Sequence, residues 1–138
     1  LRKRRNKYLI SNIVMYSVYI IQSNNRSYIG MTNNFLRRWM QHNKILKGGA
    51  KYTSAYEGWS PICIVDGFQT KSEAMQCEWK LKRVKGYYNR VKNLSHLLQN
   101  SEKWTSKSPL IQSQNLDIYV TESYKHLFPM ETKELVWF

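Results

Sequence analysis

The chain has 138 residues, 42% hydrophobic and 14% aromatic, enough to bury a core and too much for a disordered polymer. Its net charge of +13 is unevenly spread: residues 1–92 hold 18 lysines and arginines against 4 acidic residues, and residues 93–138 hold 4 against 5. That pattern calls for a polyanionic partner, nucleic acid before membrane; no apolar run approaches the roughly 18 residues of a bilayer span, and the first residues show no signal-peptide h-region.

In chain order, "LRKRRNK" reads as a basic arm, within residues 1–14. "MYSVYIIQS" (15–23) is a β-rich run, "NNR" a turn, and "SYIGMT" (27–32) the returning strand of a hairpin. Asn33 or Asn34 can cap a helix running to about Leu46. "KGGAKYTSAYEG" (47–58) reads as a glycine- and lysine-bearing loop, and "WSPICIVDGF" (59–68) as a third strand with Pro61 near its start. The pattern Thr70-x-x-Glu73 predicts a capped helix over 70–86, stopped at Gly86. A further short helix is expected at 88–99, and a Ser/Gln/Asn-rich linker at 100–115. "LDIYVTES" and "ELVWF" read as late strands or tail segments. Cys63 and Cys77 stand far apart and form neither a zinc spacing nor a disulfide framework.

Two helices carry polar residues where packing alone does not want them. At 100° per residue, Ala74, Met75, Cys77, Leu81 and Val84 form one apolar face, and Glu78 falls inside it. A carboxylate there is costly unless paired or holding a cation. In the earlier helix, Phe35, Leu36, Trp39, Met40 and Leu46 make the apolar stripe, Arg38 and His42 share one border of it, and Arg37 points further out. Cations beside a strand carrying Tyr28 suit phosphate binding. Together these are the parts of a phosphodiester hydrolase: a carboxylate for a hydrated Mg²⁺, an arginine for transition-state charge, and a tyrosine or histidine for a proton.

On these residues the chain resembles the GIY-YIG endonuclease family. Ser17-Val18-Tyr19 stands for the first signature strand without the family glycine, and Tyr28-Ile29-Gly30 is the second, intact and nine residues on. Arg38 lies ten residues beyond Tyr28, followed by His42 in "RRWMQHN", the "GGAKYT" loop and Glu78 in "AMQCEW". "HN", "DGF" and "CEWKLK" are similar to the structure-selective subgroup that cuts branched DNA, whose eukaryotic members carry a cysteine-rich zinc module lacking here. The resemblance spans about residues 15–86.

The resemblance implies an α+β fold, a small three-stranded antiparallel sheet flanked by helices, with the site near the two helices. It implies a nuclease domain at 15–92 between the arm and a C-terminal extension at 93–138. Catalytic roles fall to Tyr19, Tyr28, Arg38, His42 and Glu78: Glu78 for one divalent metal, Mg²⁺ or Mn²⁺, Arg38 for the scissile phosphate, and Tyr19 to activate or orient water. Which of Tyr19, Tyr28 and His42 is the base stays open at this level. Arg37, Lys47, Lys51, Lys82 and Arg83 are the DNA-binding candidates. The expected activity is hydrolysis of branched DNA (flaps, splayed arms, four-way junctions) in an intracellular setting, nuclear or cytoplasmic. A protein partner or homodimer stays open. The alternatives are a non-catalytic nucleic-acid-binding module and a sequence-specific homing- or restriction-type endonuclease.

Overall fold

β1 (Tyr16–Ser23) is the strand on which everything else is built. Val18, Tyr19, Ile20 and Ile21 are all buried, so both faces of this strand are covered, with Val18 and Ile20 on one and Tyr19 and Ile21 on the other. In the computed structural model, which describes residues 15–100 and 103–136, β1 pairs antiparallel with both β2 (Arg26–Thr32) and β3 (Ser60–Phe68). The hairpin turn is shorter than the sequence suggests: Asn24 takes the left-handed conformation at φ 54°, which asparagine tolerates, and Arg26 already pairs with Ser23. Pro61 sits opposite Ile21 where the β1–β3 register slips, a place that tolerates a missing N–H.

The expected three-stranded sheet is corrected to five strands, in the order β2-β1-β3-β4-β5. β4 (Asp117–Val120) runs antiparallel to β3, and β5 (Lys133–Glu134) runs parallel to β4. The cause is visible in β3. Pro61 through Asp66 are all buried, a run that needs a neighbour on each edge, and the alternating Ile118, Tyr119 and Val120 supply the second. Residues 100–115 do not act as a linker either. Trp104 is buried edge-on against Phe68, its indole N–H donates to Gln114 Oε1 at 3.0 Å, and a 3₁₀ turn (Ile111–Gln114) follows.

Helices cover the two faces unequally. α1 (Phe35–His42), capped by Asn34, which accepts from the Arg37 N–H, and a one-turn α2 (Lys51–Ser54) lie on the Tyr19 side. α3 (Lys71–Leu81), capped by Thr70, and α4 (Tyr87–Asn100) pack Ala74, Cys77, Leu81, Val91 and Leu94 against Val18, Ile20, Cys63 and Val65. A short α5 (Glu122–Lys125) follows β4. Both site helices end earlier than their periodicity suggests: α1 stops at His42 and α3 at Leu81, five residues before Gly86 turns the chain at φ 88°. Leu46, beyond the end of α1, is therefore 42% exposed, while Met75, inside α3 but off the side that the sheet covers, is 50% exposed. The arm at 1–14 lies outside the described residues.

Candidate active site

Tyr19 leaves β1 over Gly30, its direct cross-strand partner. A Cβ at Gly30 would collide with the Tyr19 hydroxyl, so glycine here is required by the space that the phenol occupies. The ring is held by Phe35 of α1, 5.2 Å away between centroids, and Tyr28 stands two residues along β2 at 6.4 Å. Ser17, where the family has glycine, uses its hydroxyl to donate to Asp66 Oδ1 of β3 at 2.8 Å, so the substitution stabilises the strand pair behind the site.

His42, at the last turn of α1, has no exposed surface. Its Nε2 lies 2.6 Å from the Tyr19 hydroxyl and its Nδ1 lies 2.7 Å from Thr53 Oγ1. Thr53 donates its single proton to the Ala50 carbonyl at 3.1 Å, which fixes the rest of the chain. Thr53 must accept from Nδ1–H, so Nε2 carries the lone pair and the Tyr19 O–H donates to it. Burial, and then the nearby Arg38 charge, lower the His42 pKa to about 4, so the imidazole is neutral at physiological pH. Burial raises the Tyr19 pKa, with Tyr28 adding to it and Glu78 adding less, while Arg38's hydrogen bond and charge act in the opposite direction.

Arg38 is pinned by donating to Gln41 Oε1 at 3.0 Å and to the Gly48 carbonyl at 2.8 Å, and its guanidinium lies near enough to the Tyr19 phenol to favour the phenolate. Gln41 donates to the Lys47 carbonyl at 3.2 Å, so α1 and the 47–50 loop are tied twice. Gly49 permits this, because a Cβ there would run into the Gln41 carbonyl. Asn43 then clamps the start of β3, accepting from Trp59 N–H at 2.8 Å and donating to Trp59 C=O at 3.0 Å.

Glu78 comes from α3, the helix on the opposite face of the sheet, yet it is near enough for its charge to raise the Tyr19 pKa. Its side chain is 20% exposed and pairs with Lys82 Nζ at 3.1 Å. That pair answers the cost of placing a carboxylate on the apolar face. It also leaves room for a cation, since Lys82 is 42% exposed and can turn into solvent. Among the described residues no three His, Cys, Asp or Glu side chains gather into a metal cage. One carboxylate suits a cation that keeps most of its waters, as Mg²⁺ does.

The five expected catalytic residues are thus brought together. Of the DNA-binding candidates, Lys82 and Arg83 line a groove that includes Tyr28, whereas Arg37, Lys47 and Lys51 are exposed outside it. Sequence reasoning missed Thr53, Gln41 and Asn43 as positioning residues. Thr53 sits in the "GGAKYT" loop, whose lysines and glycines stand out in the sequence while its hydroxyl does not.

A family profile described as "GIY-YIG catalytic domain" matches residues 15–92, more than half of the chain. The chain belongs to the GIY-YIG family. Among curated proteins it is similar to the "Structure-specific endonuclease subunit SLX1 homolog" of Giardia intestinalis, 38% identical over 100 residues, covering 72% of this chain and 27% of that protein. It is 34% identical over 129 residues to "Structure-specific endonuclease subunit slx1" of Botryotinia fuckeliana, covering 86% and 30%. To the corresponding protein of Phaeosphaeria nodorum it is 48% identical over 68 residues, covering 46% and 19%. The chain therefore spans no more than 30% of the length of these relatives. The 86% coverage carries the likeness past residue 92 and into the segment that supplies β4 and β5 of this GIY-YIG sheet.

Proposed function

We propose that this chain is a metal-dependent, structure-selective DNA endonuclease that hydrolyses phosphodiester bonds at branches, in the service of DNA repair and recombination. The observation that carries the reading is the ordered chain from Arg38 through Tyr19 and His42 to Thr53, with Tyr28 and Glu78 beside it. Arg38 receives the scissile phosphate and offsets the charge that builds on it. As the water oxygen bonds to phosphorus, the water proton passes to the Tyr19 oxygen and the Tyr19 proton passes to His42 Nε2, while the P–O bond to the leaving sugar oxygen breaks. Phosphate docked on Arg38 offsets the positive charge that helps hold His42 neutral, so the imidazole becomes a better acceptor when substrate is present. Tyr28, whose ring lies 4.9 Å from His42, orients the water. Glu78 would hold Mg²⁺ or Mn²⁺, which supplies electrostatic stabilisation of the charge on the leaving oxygen.

The relatives' names support the branched substrate, and the basic balance of residues 1–92 supports DNA. The test is to incubate labelled flaps, splayed arms, four-way junctions and linear duplex with the protein and Mg²⁺ or Mn²⁺. Branched DNA should be cut at least about tenfold faster than linear duplex, a preference of some 1.4 kcal/mol. Glu78→Gln should abolish cutting and leave DNA affinity within a few-fold. Equal cutting of branched and linear DNA, or a fixed site in linear duplex, would move the chain to the sequence-specific class. Wild-type turnover by Glu78→Gln would remove that residue from the site.

A further inference from the structure

Between the β1–β2 turn and the joint of α3 with α4 runs an open groove of about 550 Å³. Arg26, Lys82, Arg83, Lys85 and Arg90 line it together with Tyr28 and Tyr52, and among the described residues those lining it include no aspartate or glutamate. Five cations along one groove repel each other; Lys82 has Glu78 beside it at 3.1 Å, but no carboxylate lines the groove itself among the described residues. That arrangement suits an anionic ligand.

The arginines are fixed in advance. Arg26 lies 3.8 Å over the Tyr56 ring, and Arg83 lies 4.6 Å over the Trp79 ring. Arg90 donates from Nε to the Val84 carbonyl at 2.7 Å and from Nη1 to Ser27 Oγ at 3.0 Å. A guanidinium has five N–H donors, so each keeps some for phosphate oxygens while its plane is already held. Tyr52 contributes a different element. It belongs to α2, next to the Thr53 that orients His42; its ring is near-parallel to Tyr28 at 17° and 6.3 Å, and it is 46% exposed. A half-bare aromatic ring on a cationic groove is the combination that takes single-stranded nucleic acid, phosphates on the cations and a base on the ring. The volume is that of a small-molecule pocket, so a short run of one strand enters and a duplex does not.

We propose that this groove binds the unpaired strand of a branched DNA, with its phosphates on Arg26, Arg83 and Arg90 and one base stacked on Tyr52. The inference rests on the branched-DNA reading for its substrate, and it explains the preference. An unpaired strand can lie beside Tyr28 and draw the junction onto Arg38, whereas a linear duplex offers no strand to the groove.

The experiment uses a splayed-arm DNA carrying 2-aminopurine at successive positions of one single-stranded arm, titrated with the full chain in EDTA. One position should be quenched by stacking. Tyr52→Ala should remove that quench and weaken binding of a single-stranded oligonucleotide about tenfold, while Tyr52→Phe keeps both. Lys85→Glu changes an exposed side chain that lines the groove. It should weaken single-strand binding and flatten the slope of log affinity against log salt. Unchanged quench and affinity in Tyr52→Ala, or an unchanged salt slope in Lys85→Glu, would overturn the assignment. Cleavage of flaps and linear duplex by the same wild-type preparation separates the two readings. Preferential flap cutting without any quenched position would remove the groove and leave the nuclease reading intact. A Tyr52-dependent quench without preferential cutting would keep the groove and remove structure selectivity.

Discussion

Ile20 and Tyr19 are neighbours in β1, each 1% exposed, yet they belong to different chemical worlds. Ile20 faces Ala74, Cys77 and Leu81 of α3 and Val91 and Leu94 of α4, all apolar side chains. Tyr19 faces Phe35, Ile64 and Trp59 as well, but its hydroxyl opens a buried line of hydrogen bonds that ends at the Ala50 carbonyl. A buried polar chain is stable only when every member is satisfied, and here Thr53 satisfies His42 and the Ala50 carbonyl satisfies Thr53. One face of the sheet therefore sets the fold, and the other holds the hydrogen-bonded line on which the proposed proton path rests. Glu78 crosses the division, reaching the site from the apolar side's helix.

The comparison predicts that changes on the Tyr19 face are read in rate and changes on the Ile20 face in stability. The largest expected effect is Arg38→Ala, which should lower the single-turnover rate by about 10²–10³-fold, the scale of losing one electrostatic stabiliser. Arg37→Ala, one residue away and pointing to solvent, should act on affinity and cost far less. Equal losses would break the distinction between the two arginines. Next comes Ile20→Ala, which should cost roughly 2–5 kcal/mol of unfolding free energy, with Ile20→Val costing roughly 0.5–1.5 kcal/mol. The rate of the folded fraction should be unchanged in Ile20→Val. A rate that falls in step with stability would show that the two faces are not separable.

A smaller effect concerns pH. The His42 pKa is lowered in the folded protein to about 4, from 6.5 in an unfolded chain. Between those values the unfolded chain takes up a proton that the folded chain refuses, so this residue's contribution to stability is full above about 6.5 and declines as pH falls towards 4. His42→Gln does not titrate there. The melting-temperature gap between wild type and His42→Gln should narrow on going from pH 7 to pH 4.5, and a constant gap would contradict a buried neutral imidazole.

What the sequence revealed followed the range of the interactions involved. The hairpin, both capped helices and the spacing of Tyr19, Tyr28, Arg38, His42 and Glu78 are local or fixed by motif, and they were legible. "LDIYVTES" was legible as a late strand, but its pairing with β3 was not, because the partners lie more than fifty residues apart, and the Ser- and Gln-rich stretch before it concealed Trp104. Thr53 was hidden for the same reason: a threonine in a loop gains meaning only when α1 brings His42 to it. Helical periodicity misassigned Met75 because residue spacing gives a face its direction but not its width, and the sheet covers only the Ala74–Cys77–Leu81 side.

The central claim is that the Tyr19 hydroxyl carries the proton from water to a neutral His42. Tyr19→Phe removes one oxygen, keeps the ring over Gly30 and against Phe35, and leaves Arg38 and Glu78 in place. Single-turnover cleavage of a flap should fall by roughly 10²-fold or more, with DNA affinity and melting temperature close to wild type. A Tyr19→Phe protein that is folded, binds the flap and cuts it at the wild-type rate would contradict the account.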